Sequence, residues 1–141
     1  MSIAFQDRNL NLKPTKEFFS DFYTDLDPHP DTMQVMKYTN EKAVIRSIKN
    51  LLSTDKYERL FQPDIGSDIR KQLFELITPI TTATLKTAIE TTIKRYEPRA
   101  GLLDVIVTPY EERNLYVITI TFFIANSQEA TTFTVQLSRV R

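Results

Sequence analysis

Between residues 40 and 96 the apolar positions recur at helical spacing, and beyond residue 102 they recur at every second position. This change of period predicts a helical half followed by a β half. Val44, Ile45, Ile48, Leu51 and Leu52 fall on one stripe, with Lys42, Arg46, Lys49 and Asn50 on the other side. The spacing predicts a helix over residues 40–53, with Asn40 as its N-cap. Ser67 is placed to cap a shorter helix to about residue 77, which offers Ile69, Leu73, Phe74 and Ile77 to a core. Pro79 separates it from a third helix over residues 81–96, with Leu85, Ala88, Ile89, Thr92, Ile93 and Tyr96 on its stripe. Pro98 then forbids continuation, and Gly101 supplies a flexible exit.

Alternation predicts strands over residues 103–110, 115–125 and 131–139, joined by polar turns at 111–114 and 126–130. Ile118, Ile120, Phe122 and Ile124 share one face of the middle strand. Turns this short favour an antiparallel three-stranded meander with about three helices packed on one face, an α+β domain spanning residues 40–141. Residues 1–39 sustain neither period. Pro14, Pro28 and Pro30 interrupt them, and Phe5, Phe18, Phe19, Phe22 and Tyr23 stand in short clusters. Such a stretch reads as an extended N-terminal arm that adheres to the body or to a neighbour.

The last strand is unusual. Thr131, Thr132, Phe133, Thr134, Val135, Gln136, Leu137 and Ser138 alternate cleanly, with no charge or proline before Arg139. Natural edge strands are generally protected by lysine, proline or a bulge, because bare backbone groups recruit other strands. From the residues alone two outcomes remain open: the edge is covered within the fold, or it is left for a partner's strand.

Composition removes most chemistry. The chain of 141 residues fits one domain. It has no cysteine, so disulfides and thiolate metal sites are excluded, and its single histidine, His29, lies in a proline-rich loop. Two glycines rule out a phosphate-cradling loop. Eighteen basic residues balance eighteen acidic ones, leaving no net field to attract nucleic acid or an anionic membrane. Tyr57, Tyr96 and Tyr110 beside Lys56, Arg59, Lys94 and Arg95 imitate an aromatic and basic surface, but neighbouring acids offset it. Residues 1–20 lack the pattern of a signal peptide, so cytoplasmic assembly is expected. No catalytic residue, metal ligand or cofactor is expected. The conspicuous group is Arg95, Tyr96, Glu97, Pro98 and Arg99, where proline holds an acid and a base on a stiff segment at a helix end. It is either a docking knob that loses little entropy on binding or two solvated charges of small worth.

Four runs in register carry a resemblance: Arg46 to Leu52 (RSIKNLL), Phe61 to Ser67 (FQPDIGS), Leu73 to Glu75 (LFE) and Tyr96 to Arg99 (YEPR). With Asp25 and Asp27 upstream, residues 40–140 resemble the baseplate wedge proteins of contractile phage tails, the sheath initiators, which are related to the TssE component of type VI secretion baseplates. Ala100 stands where that family more often has a branched apolar residue. The resemblance implies a structural virion protein of the tail baseplate, one copy per wedge in a six-fold assembly. It implies that Glu97, Pro98 and Arg99 face a bundle of other wedge subunits. It also implies that a terminal strand, here Thr131 to about Arg139, pairs with the tail sheath protein and templates its polymerisation. Some relatives carry lysozyme-like labels, so a peptidoglycan hydrolase is the competing reading. Glycoside cleavage needs a carboxyl group with a raised pKa, whereas Arg99 beside Glu97 is expected to lower it. The short chain favours a phage tail over a secretion system.

Overall fold

The computed structural model describes residues 17–23, 28, 30, 33–125 and 129–139. Two short strands, β1 (Ser20–Phe22) and β2 (Lys37–Thr39), pair antiparallel and lead into helix α1 (Asn40–Ser53). A one-and-a-half-turn helix, α2 (Ile69–Leu73), and a long one, α3 (Pro79–Tyr96), follow. Strands β3 (Ala100–Tyr110), β4 (Leu115–Ile124) and β5 (Ala130–Ser138) form an antiparallel sheet in sequence order. The α+β meander expected from the change of period is therefore present.

The core lies between the helix layer and one face of this sheet. Val44, Ile48 and Leu52 of α1, Leu85, Ile89 and Ile93 of α3, and Ile69 and Leu73 of α2 meet Val105, Tyr116, Ile118, Ile120, Phe122 and Phe133. Phe122 and Phe133 touch edge to face, with ring centroids 5.9 Å apart. Within the layer, α3 packs on β3 and α1 reaches β5.

Several local expectations are corrected. Asn40 does not cap α1: Thr39 holds that position, and Asn40 is the first helical residue, with φ 47°. Its Oδ1 instead accepts from the Phe18 and Phe19 N–H groups at 2.8 and 3.3 Å, tying the arm to the helix. Ser67 is not a cap either, because its buried hydroxyl donates to the Leu52 carbonyl at 2.9 Å. The second helix ends at Leu73, leaving Phe74 55% exposed rather than in the core. Pro79 opens α3 instead of standing outside it, its missing N–H harmless at the first helical position. Thr78 caps that helix by accepting from the Thr81 N–H at 3.1 Å. Gly101 lies inside β3, which begins at Ala100, with a bulge at Leu103.

Of the expected arm, residues 1–16, 24–27, 29, 31 and 32 lie outside the described residues, and with them Asp25, Asp27 and His29. The described part adheres to the body: Phe19 packs against the core, and the Asn40 N–H donates to Phe19 O at 2.7 Å. Arg46 fixes it further, stacking on Tyr38 at 5.4 Å and approaching Asp21 Oδ2 at 3.5 Å.

Candidate functional site

Two features converge at the C-terminal end of α3. The first is the Glu97, Pro98, Arg99 turn. The sequence suggested that both charges would be displayed; the structure corrects this for Glu97, which is 2% exposed. Its carboxylate receives Arg99 Nε and Nη2 at 2.6 and 2.7 Å, a bidentate clamp two residues long. The Ser47 hydroxyl of α1 donates to the same carboxylate. Burial pushes the Glu97 carboxyl up, but the bonds from Arg99 and Ser47 outweigh it and hold the pKa below the ordinary 4.5. Pro98 is exposed, and Arg99 keeps a partly open guanidinium whose other face covers Phe19 at 5.5 Å. Glu97 is thus an internal strut, and what reaches solvent is Pro98 with the edge of Arg99.

The second feature is the loop between α1 and α2. Gly66 has φ +154°. A β-carbon there would lie 2.6 Å from Asp55 O and 2.8 Å from Lys56 N, both backbone atoms, so only glycine fits. The close approach lets the Ser67 N–H donate to Thr54 O at 2.8 Å, while the Tyr57 N–H bonds Pro63 O at 2.8 Å. The Tyr96 hydroxyl donates to Asp64 O, fastening the loop beside Glu97. Arg70 holds Asp55 at 3.0 Å, and Asp68 takes Lys56 and Lys71. On this braced loop Leu60 and Phe61 are 92% and 97% exposed. A sequence scan reads Leu60 and Phe61 as one more apolar pair. The only hint was that they fall between turn residues, outside any periodic stripe.

The β5 edge is the third feature. The Arg139 N–H donates to Asn114 O at 2.7 Å, while Leu115 stands opposite Ser138. That combination makes Leu115 and Ser138 a non-hydrogen-bonded pair. Alternation then turns the backbone groups of Thr132, Thr134, Gln136 and Ser138 away from β4. No strand pairs with that side among the described residues. The side chains of Phe133, Val135 and Leu137 pack on the core and Thr131 is buried, so only the backbone rim and the outer face are open. Arg139 is not part of the rim through its N–H, which is committed inward.

The opposite edge differs. The Ala125 N–H donates to Arg99 O at 2.9 Å with Ala100 opposite Ile124, so the same alternation runs through β3. Pro109, opposite Tyr116, therefore falls at an outward-facing position, where it removes a donor from the edge. With the bulge at Leu103, β3 carries two of the usual protections, and β5 carries neither.

Hydrolytic equipment is poor among the described residues. A cleft of about 520 Å3 between α3 and β3 is lined by one carboxylate, Glu111, where glycoside cleavage requires two. A smaller one of about 290 Å3 is lined by two, Asp55 and Asp68, both engaged by basic side chains. Asp68, held by Lys56 and then Lys71, titrates below its ordinary value, as Glu97 does, opposite to the shift a general acid needs. Among the described residues no group of three metal-ligating side chains occurs, and no helix is long and apolar enough to cross a membrane.

Residues 39–129 match the family model described as baseplate wedge protein gp25. The chain is 34% identical over 111 residues to baseplate wedge protein gp25 of Enterobacteria phage T4, covering 76% of this chain and 83% of that protein. Among solved structures, a Geobacter sulfurreducens protein provisionally labelled a tail lysozyme superposes with a TM-score of 0.69 at 23% identity, over 75% of this chain and 97% of its own. A chain of the six-fold symmetrised baseplate of the anti-feeding prophage gives 0.60 at 24% identity, over 87% of each. At these identities the two structures establish the shared fold.

Proposed function

This chain belongs to the baseplate wedge protein gp25 family, and from that membership we propose that it joins the wedge core of a contractile tail to the sheath. It is a baseplate component of a contractile tail system. In the finer reading, it docks on a bundle of other wedge subunits through the turn that Glu97 braces from within and Pro98 and Arg99 present. It offers residues 131–139 for strand addition by the tail sheath protein. It is present once per wedge in a six-fold baseplate, assembled in the host cytoplasm, and it performs no catalysis. The observation that carries this reading is the contrast between the two sheet edges: β3 is blocked by Pro109 and a bulge, while β5 is bare from Ala130 to Ser138. A fold that guards one edge and leaves the other open is suited to templating in one direction.

Gln136→Pro and Thr134→Pro are the direct test. Each removes one outward N–H and no bond to β4, so folding should be affected by about 1 kcal/mol or less. Baseplates should still form but lack extended sheaths in electron micrographs. Leu137→Pro, whose N–H faces β4, should instead destabilise the domain. Normal sheaths on both outward variants would end the strand-addition reading.

Leu60 and Phe61 extend the proposed wedge contact. Braced apolar side chains lose little entropy on docking and so make good anchors. The double variant Leu60→Ser, Phe61→Ser should melt within a degree or two of the native chain, because these side chains touch little. Its co-purification with wedge subunits should fall by about tenfold or more. Undiminished co-purification would remove this loop from the interface.

A further inference from the structure

Beside the open edge, α1 carries an unbalanced basic flank. Lys42, Arg46 and Lys49 surround a cleft of about 350 Å3 that Tyr38, Ile45 and Asn50 complete. Lys49 spans from this cleft to β5, its Nζ 5.9 Å from the Phe133 ring centroid. Neither Lys42 nor Lys49 forms an ion pair among the described residues, and α1 has one carboxylate of its own, Glu41 in its first turn. Arg46 has a single acidic neighbour, Asp21, and its Nη1 is buried without a hydrogen-bond partner among the described residues. Lys42 and Lys49, which line the cleft without a carboxylate partner among the described residues, are the groups an incoming carboxylate would pair with.

A strand added to β5 would lie about 4.8 Å beyond it. Its helix-facing side chains would then come under the Ile45 and Lys49 flank of α1. We infer that this cleft receives a carboxylate of the same polypeptide that pairs with β5, so that the guest is selected by an acidic residue on its helix-facing side as well as by its backbone. The inference rests on the strand-addition reading. The occupant is a protein segment rather than a nucleic acid because Lys49 joins the cleft to β5, whose outward donors and acceptors match another backbone.

Three fluorescein-labelled peptides of alternating valine and threonine test this by anisotropy against the full chain at low salt. Two helix-facing positions carry glutamate in the first, glutamine in the second and lysine in the third. The glutamate peptide should bind about tenfold more tightly than the glutamine peptide, and the lysine peptide most weakly. In a Lys42→Glu, Lys49→Glu chain the order should reverse, and added salt should compress it. Gln136→Pro should weaken all three alike. Equal affinities in the native chain would overturn charge selection while leaving strand addition standing. Undiminished binding to the Gln136→Pro chain, or no binding of any peptide to the native one, would overturn both.

Discussion

Gly66→Ala is expected to destabilise the domain by about 3–5 kcal/mol, a large share of the stability of a chain this size. The added β-carbon would meet Asp55 O at 2.6 Å, Asp55 C at 2.7 Å and Lys56 N at 2.8 Å. All three are backbone atoms, so no rotamer change relieves the contact. The backbone itself is held by the Ser67 N–H on Thr54 O and by the Ser67 hydroxyl on Leu52 O. A φ of +154° adds strain for any residue with a side chain. Gly101→Ala is the matched control: its β-carbon would meet Phe123 O at an ordinary 3.7 Å, in a strand where alanine is accepted. Urea denaturation compares the two, and a loss below about 1 kcal/mol for Gly66→Ala would show that the approach to Asp55 can open. The variant should also lose wedge co-purification beyond its loss of stability, since Leu60 and Phe61 are presented by the same loop.

The difference between these glycines also marks what can be read from the chain. Periodicity is local, and it located α1, α3 and the three long strands because those elements bury one stripe or one face each. It misjudged the second helix because Ser67 looks like a cap in sequence while its hydroxyl is taken by Leu52, fifteen residues earlier. Phe74 looked like core for the same reason, lying one residue past the point where α2 actually stops. Asn40 was misjudged similarly: its side chain holds Phe18 and Phe19, more than twenty residues away, rather than its own helix. The bare edge of β5 was legible, since unprotected alternation is itself a sequence property. Which backbone groups face outward was not, because that phase is fixed by Asn114 and Arg139 meeting across the sheet.

Glu97 is the sharpest case of a residue whose type was informative and whose direction was not. Pro98 announces that the helix ends, but the side to which the last carboxylate turns is decided by Ser47, fifty positions away. The expected consequence is that Glu97→Gln costs about 2–3 kcal/mol at neutral pH. That is below the range for a fully buried pair because Arg99 remains partly exposed. The amide can accept one bond from Arg99, but its NH2 then faces further donors. The pH dependence has a definite sign. The folded-state pKa of Glu97 lies below the ordinary 4.5, so its stabilisation is fully present above that value. It is lost as pH falls from about 4.5 through the lower folded value. Urea midpoints of the native and Glu97→Gln chains should therefore differ most near pH 6–7 and converge on acidification. A gap that stayed constant down to about pH 3 would mean that Glu97 acts by shape and not by charge. Wedge incorporation should fall with the same substitution even where the fold survives, because Arg99 loses the clamp that sets its orientation. On the proposed docking, assembly and folding share one ion pair: the charge offered to the partner is held in place by the charge turned inward.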